Sequence, residues 1–246
     1  MSYAEKPEMI LFDVGGTLFD DTKCIPIDGL RELRLRADNP EVTTDEILAE
    51  LWDSYMEEIG SDIRSASGVK LDMPLSSVIK YITMNAGLHF SFDMYNQEEI
   101  FDRFNSERKV IDGVVSLLKT LDSLSIRTAV ISNNAMSGES LSLAVNRWIP
   151  ENKFEFFLTS ADLLLTKPDK SLFVAAANYA DVDAKDCWYC GDGRIPDVDG
   201  AKNSGMTPVL IDENSSQSFE WRADGGRGEY LAINHWCELE KYLLSL

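Results

Sequence analysis

Apolar positions along this chain follow two alternating patterns. The first is a short, mostly continuous run: Met9-Ile10-Leu11-Phe12, then RTAVI at 127–131, FEFFL at 154–158, CWYC at 187–190 and TPVLI at 207–211. Each run gives way to small or polar residues: Asp13 to Thr17, Ser132-Asn133-Asn134, Thr159-Ser160, Gly191-Asp192-Gly193 and Asp212-Glu213. A continuous apolar run with such an end predicts a strand buried on both faces, as in a parallel sheet. The second pattern is a helical stripe. Val114, Val115, Leu117, Leu118 and Leu121 form one, Leu172, Phe173, Ala176 and Tyr179 another, and Trp236, Leu239, Tyr242 and Leu243 a third. Strand and helix in alternation predict an α/β fold, in which ligands gather at the carboxyl ends of the strands. The polar residues above occupy those ends.

From about residue 20 to 107 the pattern is helical, with no convincing strand. Thr43 and Glu46 suit a capping box ahead of Ile47, Leu48, Leu51, Trp52, Tyr55, Met56 and Ile59. Leu75, Val78, Ile79 and Ile82 form a second stripe ended by Gly87, and Ile100, Phe101 and Phe104 a third. The expected organisation is therefore an α/β core of 1–19 and 108–246, interrupted by a helical domain at 20–107. The Ser/Gly-rich stretch 214–228 (NSSQSFEWRADGGRG) is expected to be a surface loop.

Charge narrows the partners. Lys and Arg total 23 against 42 Asp and Glu, a formal net charge of −19 over 246 residues. Nucleic acids and anionic membranes attract basic surfaces, so neither is an expected partner. An anionic substrate would need a locally recruited cation. Met1 to Glu8 is polar, no run is long enough to span a bilayer, and four scattered cysteines do not form a disulfide scaffold, so a cytoplasmic location is expected.

Four polar clusters follow four predicted strands: Asp13 to Thr17, Ser132-Asn133, Lys167-Pro168, and Gly191-Asp192 with Asp197. Each alone is compatible with a turn or a helix cap. Their joint order is far more specific, and it resembles the haloacid dehalogenase-like (HAD) hydrolase superfamily. The first motif is Asp13-Val14-Gly15-Gly16-Thr17-Leu18, the second Ser132, the third Lys167 in TKPDKSLF, and the fourth GDGRIPDVDGAKNSGM with Asp192 and Asp197. The resemblance implies a Rossmann-like parallel-sheet core with an inserted α-helical cap. It implies Asp13 as a nucleophile that forms an aspartyl-phosphate. It implies Mg²⁺ held by the Asp13 carboxylate, the Gly15 carbonyl and the Asp192 carboxylate. Asp197 would orient metal-bound waters or Lys167. Ser132, Asn133, Thr17 and Lys167 would receive the phosphoryl group, with Lys167 supplying positive charge in the transition state. The expected substrate is a small phosphorylated metabolite selected by the cap, and the expected assembly a monomer or homodimer.

One position departs from the phosphatase pattern. Most family phosphatases carry a second Asp two residues after the nucleophile, where it protonates the leaving group and then activates water; here the residue is Gly15. Three readings follow: a substrate with a good leaving group, a proton donor from elsewhere such as the cap, or phospho-ligand binding with little turnover. Haloacid dehalogenases also lack that Asp and need no metal, but usually lack the Gly-Asp of motif four, which Gly191-Asp192 keeps. Phosphonoacetaldehyde hydrolases use a cap lysine; Lys23, Lys70 and Lys80 exist but sit in no recognisable motif.

Other candidates have plainer readings. Cys187-Trp188-Tyr189-Cys190 matches C-x-x-C, yet in a strand its cysteines point to opposite faces, so it reads as core. His89 and His235 lie outside the motifs and read as structural. Trp52, Tyr55 and Met56 read as cap packing, and Arg194, inside motif four, as a possible contact to substrate or Asp197.

Overall fold

The structure is a computed structural model that describes residues 5–58, 72–212, 219–223 and 229–246. Its strands are β1 Met9–Phe12, β2 Phe19–Cys24, β3 Ser106–Val110, β4 Arg127–Ser132, β5 Phe157–Thr159, β6 Cys187–Gly191, β7 Thr207–Ile211, β8 Glu220–Ala223 and β9 Glu229–Ile233. Its helices are α1 Pro26–Arg36, α2 Asp45–Glu58, α3 Leu75–Asn85, α4 Met94–Asn105, α5 Val114–Ser123, α6 Gly138–Trp148, α7 Ser160–Leu163, α8 Lys170–Ala180, α9 Gly200–Ser204 and α10 Trp236–Ser245.

Seven strands form one sheet in the order β5-β4-β1-β6-β7-β9-β8. All neighbours run parallel except β8, which pairs antiparallel with β9. The α/β expectation holds. The chain leaves β1 for β4 on one side and returns to β6 on the other, so the carboxyl end of β1 lies at a switch of direction, where α/β sheets bind ligands. Side chains alternate across the sheet. Ile10, Phe12, Val130, Trp188 and Cys190 pack with α5 and α10 in a core that continues into the inserted helices. Met9, Leu11, Ala129, Ile131, Cys187 and Tyr189 pack on the opposite face with Leu172, Phe173 and Ala176 of α8. Cys187 and Cys190 are free, buried and on opposite faces, as expected of a core strand. No helix among the described residues is long and apolar enough to cross a membrane.

Helices α1 to α4 lie between β1 and β3; the three stripes correspond to α2, α3 and α4, and α1 has no stripe of its own. The segment is not purely helical, however: β2 and β3 pair antiparallel, with Phe19 opposite Val110 and Cys24 opposite Ser106. These polar strands (FDDTKC and SERKV) carry no apolar run, which is why periodicity alone missed them. They form a two-stranded ribbon through which the chain leaves and re-enters the core.

Three local expectations are corrected. The Thr43 hydroxyl is buried without a partner, and Thr44 instead accepts from the Ile47 amide at 3.4 Å, so the cap residue lies one position later. Within 154–158 only the end is regular strand, although Glu155 N–H donates to Thr128 O at 2.9 Å and Val130 N–H to Phe156 O at 3.0 Å. The 214–228 stretch contains β8, which aligns Glu220 with Ala232 and Ala223 with Glu229; the rest of that stretch other than Phe219, like Ile59 and Lys70, lies outside the described residues. The partner strand, EYLAI, is a sixth parallel-sheet run that the pattern does not single out, because it follows a glycine-rich segment.

Candidate active site

Asp13 follows β1 and is held there by its amide, which donates to Cys190 O of β6 at 2.9 Å. The chain then makes one tight turn: Leu18 and Phe19 amides donate to Val14 O at 2.8 and 3.0 Å, and Gly16 N–H to Phe19 O at 2.8 Å. Gly16 has φ +66°, and a Cβ there would sit 2.2 Å from Asp192 Oδ2. Backbone conformation and the proximity of an acidic group therefore both require glycine at 16. Gly15 is different, since a Cβ there would meet nothing within 4 Å. Trp236 of α10 pins the turn by donating from Nε1 to Thr17 O at 3.2 Å. The Thr17 side chain is fully buried and its hydroxyl has no partner.

Lys167 reaches the same point from the loop after α7. Its ammonium donates to Asp197 Oδ1 at 2.7 Å and to the Tyr189 hydroxyl at 2.9 Å, and it forms an ion pair with Asp13 Oδ1 at 2.9 Å. Tyr189 passes its own hydrogen to Ile131 O at 2.9 Å. The Lys167 backbone is fixed by Asn133, whose Oδ1 accepts from Lys167 N at 2.8 Å and whose Nδ2 donates to Lys167 O at 3.3 Å. The Lys167–Pro168 peptide is cis. Asp197 sits in a π-type turn, Arg194–Asp199, and its second oxygen accepts from Gly193 N at 2.7 Å. A Cβ at Gly191 would lie 2.3 Å from Asp197 Cγ, so that glycine lets the turn close over the strand end.

The sequence-identified residues thus converge. Asp13, Lys167, Asp192 and Asp197 meet in one cluster, and Ser132 is buried at the carboxyl end of the neighbouring β4. Asn133 joins them through its side chain, which is spent on the Lys167 backbone. Tyr189 was not read as a site residue. Its one signal was a phenol in an otherwise apolar strand, two residues before Gly191. The histidines stay outside: His235 caps α10 by accepting from Cys237 N at 3.0 Å, and His89 is exposed.

The cluster carries three carboxylates against one ammonium. Burial raises the Asp197 pKa even though Lys167 opposes it, and burial together with Asp13 and Asp197 raises that of Asp192. Tyr189 is pushed well above 10 by burial and by the same negative charges, so its phenol stays protonated and serves as a hydrogen-bond bridge. One oxygen from each of Asp13, Asp192 and Asp197 lies within 4.8 Å of the others. Both Asp197 oxygens are engaged by Lys167 and Gly193, whereas Asp13 uses one oxygen on Lys167. An acidic cluster of this kind fits a hard divalent cation, with Asp13 and Asp192 the less engaged of the three carboxylates.

The inserted helices seat on the loop that follows β4. Leu75 N–H donates to Ala135 O at 2.7 Å, and the Ser160 hydroxyl bonds Asp72. Helix α4 packs on α6 through buried acids. Glu98 accepts from the Ser137 hydroxyl at 2.6 Å and from Ser140, Glu99 pairs with Arg103 and Arg147, and Asp102 takes Arg108 in a two-pronged pair at 2.6 and 2.7 Å.

A parallel sheet with a nucleophile-competent aspartate at its switch point, flanked by a serine, a lysine and two further aspartates on neighbouring strand ends, defines a hydrolase of the aspartate-based α/β class. The chain belongs to the haloacid dehalogenase-like hydrolase family, which matches residues 10–211. Solved structures of similar fold include a 2-haloacid dehalogenase from Pseudomonas syringae pv. tomato DC3000, 22% identical, covering 97% of this chain and 99% of that one with TM-score 0.59. A HAD-superfamily hydrolase from Ehrlichia chaffeensis is 16% identical, with 98% of each chain covered and TM-score 0.53. A HAD phosphatase from Thermococcus onnurineus is 16% identical, covering 96% of this chain and 97% of that one with TM-score 0.51. No curated protein matches the sequence.

Proposed function

We propose that this hydrolase is a Mg²⁺-dependent phosphatase acting on a small phosphorylated molecule through an aspartyl-phosphate on Asp13. The observation that carries the reading is the charge imbalance at the strand ends: Asp13, Asp192 and Asp197 converge on one ammonium, Lys167. Such a cluster repels a phosphate dianion unless a divalent cation joins it, and a halocarboxylate-cleaving site has no need of the extra acids.

Asp13 is fixed by its backbone and by Lys167, which orients one carboxylate oxygen and leaves the other for in-line attack. Lys167 is itself locked by Asp197, Tyr189 and Asn133, so its charge stands where the equatorial phosphoryl oxygens would gather negative charge. Ser132, Asn133 and the unpartnered Thr17 hydroxyl are the donors this reading assigns to the phosphoryl oxygens. Mg²⁺, when bound by Asp13, Asp192 and the Gly15 carbonyl, supplies the remaining positive charge. The inserted helices, seated on the loop after β4, would close over the strand ends to exclude water and bulky substrates.

The test is hydrolysis of p-nitrophenyl phosphate and acetyl phosphate by the purified protein. Activity that needs Mg²⁺, falls in EDTA and vanishes in Asp13→Asn supports the reading. Metal-independent halide release from 2-chloropropionate, with no phosphate release, would replace it by a dehalogenase.

A further inference from the structure

The turn that carries Asp13 is closed by its own bonds on Val14 O, but two of its carbonyls are held from far along the chain. Leu18 O accepts from Ile111 N at 3.0 Å. The carbonyl of Thr17, a buried residue, accepts from Trp236 Nε1 at 3.2 Å. The same indole packs edge-on against Phe12, the residue before Asp13, with ring centroids 6.0 Å apart and planes at 62°. Trp236 therefore grips the turn on both sides of Asp13, by an apolar contact before it and a hydrogen bond after it. Phenylalanine would supply the first contact and not the second, because the indole N–H is the donor.

The end of α10 that presents Trp236 is itself fixed. His235 caps it, accepting from Cys237 N through Nδ1 at 3.0 Å, which puts the ring hydrogen on Nε2, 3.3 Å from Asp112 Oδ2. Four residues beyond Trp236, Glu240 accepts from the Thr120 hydroxyl of α5 at 2.7 Å and from that of Ser116 at 3.1 Å. Gly113, with φ +86°, lets the two helix ends approach, since a Cβ there would lie 2.9 Å from His235 Cε1 and 3.1 Å from Trp236 Cβ. Leu239 and Leu243 are buried below. All of α10 lies beyond residues 10–211, the part of the chain that matches the family.

Resting on Asp13 as the nucleophile of the function proposed above, we infer that Trp236 is a positioning residue, through which α10 braces the Asp13–Thr17 turn in its reactive geometry. The indole reaches the chemistry through the turn: it holds the Thr17 carbonyl, and the turn holds Asp13. A buried carbonyl that loses its donor is costly to leave unpaired, so the backbone that carries it rearranges. Displacement of a nucleophile by about 1 Å costs about 10²-fold in rate. Lys167 and its partners make no contact with the indole, so the charge that attracts substrate is left as it was.

Three variants of the full chain, assayed with p-nitrophenyl phosphate and saturating Mg²⁺, test this. Trp236→Phe keeps an aromatic ring beside Phe12 and removes the donor; kcat should fall about 10–10²-fold with KM within about twofold of wild type. His235→Ala loosens the helix end and leaves the indole in place. It should lower kcat by a smaller factor, and it carries the test if Trp236→Phe does not fold. Leu239→Ala removes packing from the same helix; it should lower the melting temperature at least as much as Trp236→Phe and leave kcat within about twofold. Hydrogen exchange adds a readout free of turnover. In Trp236→Phe, amides of a peptide spanning 13–19 should exchange about tenfold faster relative to those of β6, and in Leu239→Ala they should not. Losses of kcat that follow the melting temperature across the variants, or wild-type kcat and turn exchange in Trp236→Phe, overturn the inference and leave the phosphatase reading intact. If wild type releases no phosphate, the phosphatase reading falls, and exchange at the turn alone decides whether Trp236 is the brace.

Discussion

Two acidic clusters in this molecule are treated differently: one is buried, and the other is open to solvent at Asp192. Where the cap meets the core, Glu98, Glu99 and Asp102 of α4 are matched by Arg103, Arg108 and Arg147 and by the hydroxyls of Ser137 and Ser140. At the strand ends, Asp13, Asp192 and Asp197 share only Lys167. Burial costs both clusters desolvation; in the first, arginines pair Glu99 and Asp102, while Glu98 rests on two hydroxyls and keeps one oxygen without a hydrogen bond. Acidity that holds the fold together is compensated locally. The acidity at the strand ends is left short of positive charge among the described residues, and on the proposed function a cation would supply the remainder.

Substitutions in the two clusters should separate these roles. Asp13→Asn should have the largest effect, reducing phosphate release to background with an unchanged far-ultraviolet circular dichroism spectrum. Arg108→Ala comes next in size but in a different quantity. It removes the two-pronged partner of buried Asp102, which should lower unfolding free energy by about 3 kcal/mol in urea titration. Ser140→Ala removes one hydroxyl from Glu98 and should cost about 1 kcal/mol by the same measurement. Asp192→Asn should act in the opposite direction, modestly raising the melting temperature of metal-free protein at neutral pH. Its pKa is raised in the folded state, so its charge destabilises the fold above that value. The gap between wild type and Asp192→Asn should be open at neutral pH and close as pH falls through the raised pKa. A gap that widens on acidification would reverse the assignment of strain to this cluster.

Much of this contrast is legible in the sequence on one side only. The active-site acids follow apolar strand runs, so their position at the strand ends could be read from Met9 to Phe12 and from CWYC. The compensated cluster could not, because Arg108 and Arg147 come from a polar connecting strand and from a helix distant in sequence. The β2–β3 ribbon was hidden for the same reason: its strands are stabilised by pairing with each other rather than by an apolar face. Asn133 read as a phosphate donor, while its side chain is consumed by the Lys167 backbone, a long-range contact with no local signature. Tyr189 was masked by its strand, where a buried phenol reads as packing until its partners are seen. Gly15 and Gly16 look alike in sequence, and only the space around each shows that one is required by the fold and the other is not.

The central claim is that the uncompensated cluster at the strand ends is the seat of a divalent cation serving Asp13. Thermal unfolding with added Mg²⁺, in parallel on wild type and Asp192→Asn, tests it without any assumption about substrate. The account predicts that Mg²⁺ raises the wild-type melting temperature in a saturable way, as ligand binding to the folded state requires, and leaves Asp192→Asn unchanged. Equal responses of the two proteins, or none in wild type, would contradict it.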